Sequence, residues 1–390
     1  MPAPRVPSLP EPDADARAHS DRVRAAVRGA IDAAGGFLTL ERYLALVLYA
    51  PGLGYYVAGT RKFGAGGDFV TAPELTPLFG GALAVQVQAI LAGTRGRRVV
   101  ELGAGSGALA ADTLNALAAR DALPARYEIV EVSPELRERQ RDTVAARAGA
   151  YASLVTWHAA LPDGIEGAVL LNELLDAVPP HVIARRNSAW LERGVVLGSQ
   201  GLELAERPLE DARLRALAEQ RFPASGDYLS EINPAAEALI EDLGARLREG
   251  AMLIIDYGFP AAEYYHPQRS SGTLMGHYRH RVHADPLLWP GLSDVTAHVD
   301  FSAIAEAGER RGLHVAGFTS QAAFLLGCGI LDLVARAGAP DSAAYLRAAA
   351  AVQQLTSPAE MGELFKVLAL ARSEAIAWPG FSIADRSHRL

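Results

Sequence analysis

Asn172, Glu173 and Asp176 follow directly on an apolar run, in the stretch GAVLLNELLDAVP. The run GAVLL is typical of a strand that is buried on both faces. Carboxylates are costly to bury without partners, so Glu173 and Asp176 require a cation or hydrogen-bond donors. A guanidinium is planar and pairs with carboxylates in bidentate fashion. The stretch therefore predicts a site for a cation or a set of donors, and Glu173 and Asp176 are its candidate catalytic residues.

A structural interpretation of the same stretch stays open. If a helix begins after the strand, Glu173 and Asp176 are three residues apart and share one face of it. The two carboxylates would then complement the positive end of that helix. Asn172 either contacts a cofactor or caps the helix.

A glycine-rich turn, ELGAGSG at 101–107, lies between a short apolar strand and a helical stretch. Glycine permits a tight turn and a close approach of the backbone to a ligand, and the helix N-terminus offers free N–H groups. The position between strand and helix is typical of a nucleotide-binding turn. The predicted cofactor-binding residues here are Glu101, Gly103, Ala104, Gly105 and Gly107.

Glu131 ends the next strand, where its carboxylate can accept hydrogen bonds from both hydroxyls of a ribose. Two cofactor classes fit this arrangement. The dinucleotide pattern G-x-G-x-x-G/A is satisfied by Gly103, Gly105 and Ala108. However, an acidic residue beside the turn would repel a pyrophosphate, whereas it suits the cationic amino group of S-adenosylmethionine. The sequence favours S-adenosylmethionine, with S-adenosylhomocysteine as the product.

The elements around these residues alternate between strand and helix from Arg97 onward. RRVVEL, RYEIVEV, LVTWHA, GAVLLN and AMLIIDYG are predicted strands, and the segments between most of them have helical patterns. Such alternation indicates parallel βαβ units. Helices capped by Ser20, Thr39 and Thr76 precede them, and antiparallel strands interrupt the alternation at about 180–206.

The bulk composition excludes several function classes. The net charge of −8 argues against nucleic-acid binding, since phosphate contacts need clustered basic residues. A single cysteine, Cys328, indicates a reducing compartment, and no signal core or membrane span is found. Only Lys62 and Lys366 of the 37 basic residues are lysine, a bias typical of GC-rich bacterial genomes. We expect a cytoplasmic bacterial enzyme.

Several long motifs occur together in one order along residues 20–375. They are GDFVTAPELTPLFG, VVELGAGSG, VEVSP, LLNELLDAVP, LIIDYG, GTLMGHYRHRVHADPLLWPG and DVTAHVDF. The chain thereby resembles the MidA-like family of class I S-adenosylmethionine-dependent methyltransferases, which are related to a mitochondrial complex I assembly factor. The resemblance implies an α/β, Rossmann-like fold. Its sheet would have seven mostly parallel strands, with helices on both faces and the last strand antiparallel.

The resemblance also implies an activity and further site residues. The mitochondrial relatives are protein arginine methyltransferases, so the expected partner is a protein substrate, such as a respiratory complex I subunit. Glu173 and Asp176 are then expected to be the catalytic residues that bind its arginine side chain and direct one of its nitrogens. Asp68 and Thr71 match a family motif expected to close over the cofactor, although both suit a plain turn. By analogy with other arginine methyltransferases, His298 is a candidate catalytic residue. The alternative is that it caps the helix after Asp300. The spacing of His277, His280 and His283 lacks the companions of a metal site, so no metal is expected.

The expected organisation divides the chain into segments. These are a disordered tail (1–18), an N-terminal helical and glycine-rich segment (19–96), the methyltransferase core (97–178 and 234–375), an insertion of strands and a helix (179–233), a substrate-covering loop (258–299) and a C-terminal tail (376–390).

Overall fold

A computed structural model describes residues 9–57 and 71–390 of the chain. Two compact units share these residues. The larger unit comprises Thr71–Val178, Pro234–His266 and His298–Leu390. The smaller unit comprises the described residues among Met1–Val70, together with Pro179–Asn233 and Pro267–Ala297.

The larger unit is built on one long sheet. Its main strands, in chain order, are β1 (Arg98–Leu102), β2 (Arg126–Val130), β3 (Val155–His158), β4 (Ile165–Asn172), β5 (Leu247–Phe259), β6 (His314–Ser320) and β7 (Phe365–Ala371). Their order across the sheet is β3-β2-β1-β4-β5-β7-β6. A two-residue strand, Val299–Asp300, pairs in parallel with the end of β5.

The direction of the strands confirms the prediction from the sequence. Neighbours among β1 to β5 run parallel, whereas β7 runs antiparallel to both β5 and β6. The crossovers between parallel strands place helices on both faces of the sheet. A mostly parallel α/β fold with an antiparallel last strand is therefore present.

Side chains of alternate residues pack on opposite faces of this sheet. In β1, Val99 belongs to one hydrophobic cluster, whereas Val100 and Leu102 belong to the other. The first cluster includes the helices Pro77–Ala92, Ala108–Ala118, Pro134–Ala148, Gln321–Gly327, Ile330–Ala335 and Ala343–Thr356, and the second the helices Pro234–Arg246 and Phe301–Glu309. Shorter helical turns are Ala72–Leu75, Gly149–Leu154, Ala261–Tyr264, Met361–Leu364, Pro379–Phe381 and Ser387–Arg389.

The smaller unit is antiparallel. Its five-stranded sheet contains Leu38–Thr39, His181–Arg186, Ala189–Gly198, Gly201–Pro208 and Tyr228–Ile232. A three-stranded sheet contains Met275–Tyr278, Arg281–His283 and Asp294–Thr296. The helices of this unit are Ala14–Ala33, Leu40–Tyr49 and Ala212–Arg221.

The start of the first helix differs from the prediction. Asp13, not Ser20, is the N-cap, and its carboxylate accepts a hydrogen bond from the N–H of Ala16. Ser20 is buried within the helix, so residues 14–18 are helical rather than part of a disordered tail. The prediction was wrong because both residues are good caps and local sequence does not choose between them. The predicted 19–96 segment also divides between the two units, at residue 71.

The segment 258–299 is not the irregular loop that the sequence suggested. It contains the helix Ala261–Tyr264 and all three strands of the small antiparallel sheet. Residues 267–297 also belong to the smaller unit rather than to the methyltransferase core. The strands are only three or four residues long, too short to produce a clear alternating pattern.

The C-terminal segment 376–390 is likewise ordered against the larger unit. Ile376 and Phe381 are buried in the first hydrophobic cluster. The Arg386 guanidinium pairs with both oxygens of Glu363, at 2.9 Å each. These contacts are distant in sequence, so the composition of the segment alone misrepresents it as a tail. Within residues 9–57 and 71–390, no helix is long and apolar enough to cross a membrane.

Candidate active site

The glycine turn follows β1 at the carboxyl edge of the sheet. Gly103, Gly105 and Gly107 have φ values of 64°, 52° and 85°, in the left-handed region that favours glycine. The carbonyl oxygen of Ala104 accepts the N–H of Gly107 at 2.7 Å, which closes the turn. A Cβ atom at position 103 would lie 2.7 Å from Cδ1 of Leu174. The turn therefore packs directly against the chain that follows β4.

Glu101 lies one residue before the end of β1 and is buried. Its carboxylate accepts a hydrogen bond from the Tyr127 hydroxyl at 2.5 Å. Burial raises the pKa of Glu101 to about 7, against the opposing effect of the Tyr127 hydrogen bond. A nearby cation, such as the predicted amino group of the cofactor, would favour the ionised form.

Glu131 directly follows β2, and its carboxylate is fixed by donors on both oxygens. Oε1 accepts the N–H of Ser133 at 2.9 Å, and Oε2 accepts Nε2 of Gln140 at 3.1 Å. A carboxylate has about four lone-pair sites, so these two bonds leave acceptors for the hydroxyls of a ribose. The next residue, Val132, is 66% exposed. An exposed apolar side chain thus follows that carboxylate in the chain.

A second segment lies against the glycine turn. Thr71 is the N-cap position of the short helix Ala72–Leu75, although its side chain makes no capping hydrogen bond. Within this helix the Glu74 carboxylate accepts a hydrogen bond from the Ser106 hydroxyl, which belongs to the turn. The predicted Asp68 lies outside the described residues. Thr71 is thus placed next to the turn.

Glu173 occupies an unusual backbone conformation at the end of β4. Its φ of 49° is uncommon for a residue other than glycine. Its N–H donates to the carbonyl oxygen of Ile255 at 2.9 Å, which ties it to β5. Its Oε1 accepts the N–H of Ala72 at 3.3 Å and Nδ2 of Asn172 at 3.2 Å. The Oδ1 atom of Asn172 is buried and has no hydrogen-bond partner among the described residues.

No helix begins after β4, so the predicted helix-end role of Glu173 and Asp176 is wrong. The chain forms a turn instead, because the Asp256 carboxylate accepts hydrogen bonds from the backbone N–H groups of this segment. Oδ2 of Asp256 accepts the N–H groups of Leu174, Leu175 and Asp176 at 3.2, 2.9 and 3.3 Å. Asp256 therefore has a structural role in this turn.

Three carboxylates consequently lie close together in this unit. Asp176 is buried, and burial raises its pKa to about 6, partly offset by a hydrogen bond from the Tyr257 hydroxyl. Its Oδ1 is one of the buried side-chain atoms without a hydrogen-bond partner in the described chain. Burial, followed by the charges of Asp176 and Glu173, raises the pKa of Asp256 well above its usual range. The three neighbouring carboxyl groups therefore repel one another when they are ionised.

His298 lies beside this carboxylate cluster, with its ring among aromatic residues. The ring centroids of Tyr257 and Phe259 are each 5.2 Å from that of His298. The helix that follows is capped by the Asp300 carboxylate, not by His298. The capping alternative is therefore wrong. Tyr257 connects the histidine to Asp176, because its ring contacts His298 and its hydroxyl bonds to the Asp176 carboxylate.

Sequence comparison identifies the family to which this site belongs. Residues 79–319 match the family model described as "Putative S-adenosyl-L-methionine-dependent methyltransferase". The chain belongs to this family. It is the MidA-like family that the motifs resemble, the activity is methyl transfer and S-adenosylmethionine is the cofactor. The dinucleotide alternative is therefore wrong.

The relatives of this methyltransferase cover nearly its whole length. A crystal structure of a Burkholderia thailandensis protein bound to S-adenosyl-homocysteine is 49% identical, covering 98% of this chain and 100% of that chain with a TM-score of 0.94. The Mus musculus protein named "Protein arginine methyltransferase NDUFAF7, mitochondrial" is 31% identical over 86% of this chain and 81% of its own length. The Drosophila melanogaster homolog is 30% identical over 93% of this chain and 88% of its own.

The residues present fit the cofactor. The left-handed glycines shape a tight turn after β1, the buried Glu101 carboxylate can pair with a cationic amino group, and the Glu131 carboxylate can accept from a hydroxyl. Two polar contacts in this region were not predicted from the sequence, those of Gln140 and of Tyr257. Gln140 lies in the polar helical stretch ELRERQRD, where nothing distinguishes it from its solvent-facing neighbours. Tyr257 directly follows Asp256 in LIIDYG, and that position next to a strand end was the available signal.

Proposed function

We propose that this methyltransferase methylates an arginine guanidinium nitrogen of a protein substrate. The observation that carries the proposal is the cluster of Glu173, Asp176 and Asp256 at the ends of β4 and β5. Repulsion between neighbouring carboxylates is unfavourable, and binding a cation beside them relieves it. The guanidinium is a cation of suitable shape, and the curated relatives bear the name of protein arginine methyltransferases.

The chemistry favours arginine over lysine. S-adenosylmethionine supplies the methyl group as an electrophilic sulfonium methyl. A lysine ammonium must lose its proton before its nitrogen can attack, and adjacent carboxylates would stabilise the charged form. A guanidinium keeps its charge, so Glu173 and Asp176 can instead fix its plane and draw positive charge away from the attacking nitrogen.

The same cluster can remove the proton that the reaction releases. Methylation of a guanidinium nitrogen leaves a methylguanidinium with the same charge and one proton fewer. Asp176, with a pKa of about 6, is ionised at neutral pH and is basic enough to accept that proton. His298 lies near enough to Tyr257 to assist, and we propose that it positions the substrate or relays the proton.

For the cofactor, we propose binding by the glycine turn, Glu101, Glu131 and Asn172, with Asp68 and Thr71 closing over it. For the substrate, the family resemblance suggests a respiratory complex I subunit. The reaction would take place in the bacterial cytoplasm.

Labelling in cell lysate tests the proposal. The enzyme is incubated with labelled S-adenosylmethionine and lysate from a strain lacking the gene, and mass spectrometry locates the label. We expect label on an arginine of a discrete protein. Label on another residue type would sink the arginine assignment, and no label despite cofactor binding would favour a non-catalytic assembly role.

Three variants assign the carboxylates. Glu173→Gln and Asp176→Asn should each bind S-adenosyl-homocysteine normally yet lose about 100-fold or more in turnover, the scale of removing one electrostatic catalytic group. Glu128→Gln is the matched control, because Glu128 is also buried in this sheet but pairs with Arg98 and His158. If the control loses turnover as strongly, the losses reflect folding rather than substrate binding.

A further inference from the structure

Gln140 is a fully buried polar residue on the helix Pro134–Ala148. That helix is otherwise rich in charged residues, and only Gln140, Val144 and Ala148 of it are buried. Burying an amide is costly unless its donors and acceptor are all used. The partners of Gln140 therefore show what the residue does.

The amide of Gln140 joins three separate elements. Its Nε2 donates to the carbonyl oxygen of Gly105, in the glycine turn, and to Oε2 of Glu131, after β2, at 3.1 Å each. Its Oε1 accepts Nε1 of Trp157, in β3, at 3.1 Å. Both amide hydrogens and the oxygen are used, so the orientation of the side chain is fixed.

The surroundings reinforce this arrangement. A Cβ atom at Gly107 would lie 3.0 Å from Cα of Gln140, so the helix backbone packs directly against the glycine turn. Trp157 is held from the other side by Arg141, whose Cζ lies 5.1 Å from the ring centroid. A side chain held at both ends in this way cannot change its position without moving the turn or the carboxylate.

We propose that Gln140 is a positioning residue for cofactor binding, which holds the Glu131 carboxylate and the glycine turn at one fixed separation. The inference rests on the proposed assignment of Glu131 and the turn to the cofactor, and deepens it. One rigid amide sets both the rotation of the carboxylate that meets the ribose and the path of the backbone beside it. Trp157 prevents that amide from flipping. In the reversed orientation the amide N–H group of Gln140 would face the indole N–H of Trp157, donor against donor.

A charge effect accompanies the geometry. Burial raises the pKa of Glu131, whereas hydrogen bonds from the Ser133 N–H and from Gln140 lower it, as does the charge of Arg137. On the neighbouring strand the titratable group is His158, whose imidazole faces Glu128. The ionised carboxylate is the better ribose acceptor, so cofactor affinity should fall as the pH drops through the pKa of Glu131. Losing the Gln140 bond raises that pKa, so the fall should begin at a higher pH.

A purely structural role for Gln140 is the alternative, and Gln86 provides a matched control. Gln86 is also fully buried in the larger unit. Its Nε2 donates to the carbonyl oxygen of Ala377 at 2.9 Å, and its Oε1 accepts the N–H of Gly380 at 3.1 Å. Gln86→Leu should therefore lower the melting temperature without altering the cofactor site.

The test is calorimetric titration of S-adenosyl-homocysteine into the full chain between pH 5 and 9. We expect Gln140→Leu to weaken binding at least about ten-fold, the scale of losing a hydrogen bond to a charged group. Its loss of affinity at acid pH should also begin at a higher pH than in the parent. Gln86→Leu should match the parent in both respects at equal fraction folded.

Two further variants distinguish an error in the role of Gln140 from an error in the assignment of Glu131 to the cofactor. Trp157→Phe removes only the bond that orients the amide, and should weaken binding about three-fold even if Gln140→Leu does not fold. Equal affinities and pH profiles for Gln140→Leu and Gln86→Leu, with Glu131→Gln impaired, would overturn the role of Gln140 alone. Unchanged affinity in Glu131→Gln would overturn the assignment of Glu131 to the cofactor, and this inference with it.

Discussion

The two halves of the active site are constructed differently. On the cofactor side, the carboxylate of Glu131, the amide of Gln140 and the turn around Gly105 satisfy one another through hydrogen bonds. On the acceptor side, Asn172 and Asp176 each retain a buried oxygen without a hydrogen-bond partner in the described part of the chain. Burial and mutual repulsion there raise carboxyl pKa values.

The difference indicates which half gains more from binding a positively charged group. A satisfied network is rigid and can bind a ligand of fixed shape through its remaining lone pairs. A cluster of desolvated carboxylates is unfavourable alone and gains most when a cation enters. In the proposed function, the acceptor half attracts the guanidinium electrostatically, while the cofactor half supplies a preformed frame. Four predictions test this contrast.

The largest effect should come from removing the centre of the acceptor side. Asp256→Ala leaves the three N–H groups of residues 174–176 without their acceptor, and each buried unpaired donor costs about 1 kcal/mol or more. We expect the free energy of unfolding to fall by about 3 kcal/mol, with loss of methylation. Urea denaturation measures the first and methyl transfer the second. If the stability stays within 1 kcal/mol or so of the parent, Asp256 does not organise the turn.

Glu101 is the exception on the cofactor side, a buried carboxylate whose pKa rises from 4.5 to about 7. A carboxyl group with a raised folded-state pKa destabilises the fold increasingly as the pH rises from 4.5 to 7, and fully above 7. Glu101→Gln keeps an acceptor for the Tyr127 hydroxyl. It should therefore stabilise the free enzyme by about 2–3 kcal/mol at pH 8 and leave its stability near pH 4 unchanged. Thermal melts at the two pH values decide this, and equal gains at both would contradict the titration.

Gly103→Ala links the two halves, because the added Cβ would lie 2.7 Å from Leu174 and the residue has a positive φ. We expect a loss of about 1–2 kcal/mol in stability, from the left-handed conformation together with the contact. Weaker S-adenosyl-homocysteine binding should accompany it. Gly35→Ala, also at positive φ but with open space around it, isolates the conformational part. Equal losses of stability for the two variants would show that the Leu174 side chain moves aside without lowering the stability.

The smallest effect should be a shift in pH dependence. Tyr257→Phe removes a hydrogen bond that lowers the pKa of Asp176, so that pKa should rise from about 6. Because ionised Asp176 is the proposed active form, activity is lost as the pH falls through this value. The acid limb of kcat/KM should therefore move to higher pH by up to about one unit, with little change above pH 8. An unmoved limb would assign the acid limb to another group.

Much of the fold could be predicted because its signals are local. Apolar runs such as GAVLL and LIIDYG, each followed by a polar or glycine-rich turn, mark parallel strands and the edge at which their ends meet. The glycine turn, Glu131 and Glu173 could be located for the same reason. The N-cap at Asp13, the strands within 258–299 and the packed segment 376–390 could not, since short elements and long-range contacts leave weak local patterns.

Sequence patterns alone predict the parallel α/β sheet, the glycine turn after its first strand and the acidic groups after its fourth strand. They suffice because strand period, turn residues and strand-end positions are properties of neighbouring residues. The tertiary structure was needed to show that Asp256 accepts the N–H groups of residues 174–176 and that Gln140 connects Glu131 to Gly105. It also decided that Tyr257 bonds to Asp176. These partners are brought together by the packing of separate strands and helices, and the strength of their contacts depends on burial that no local pattern specifies.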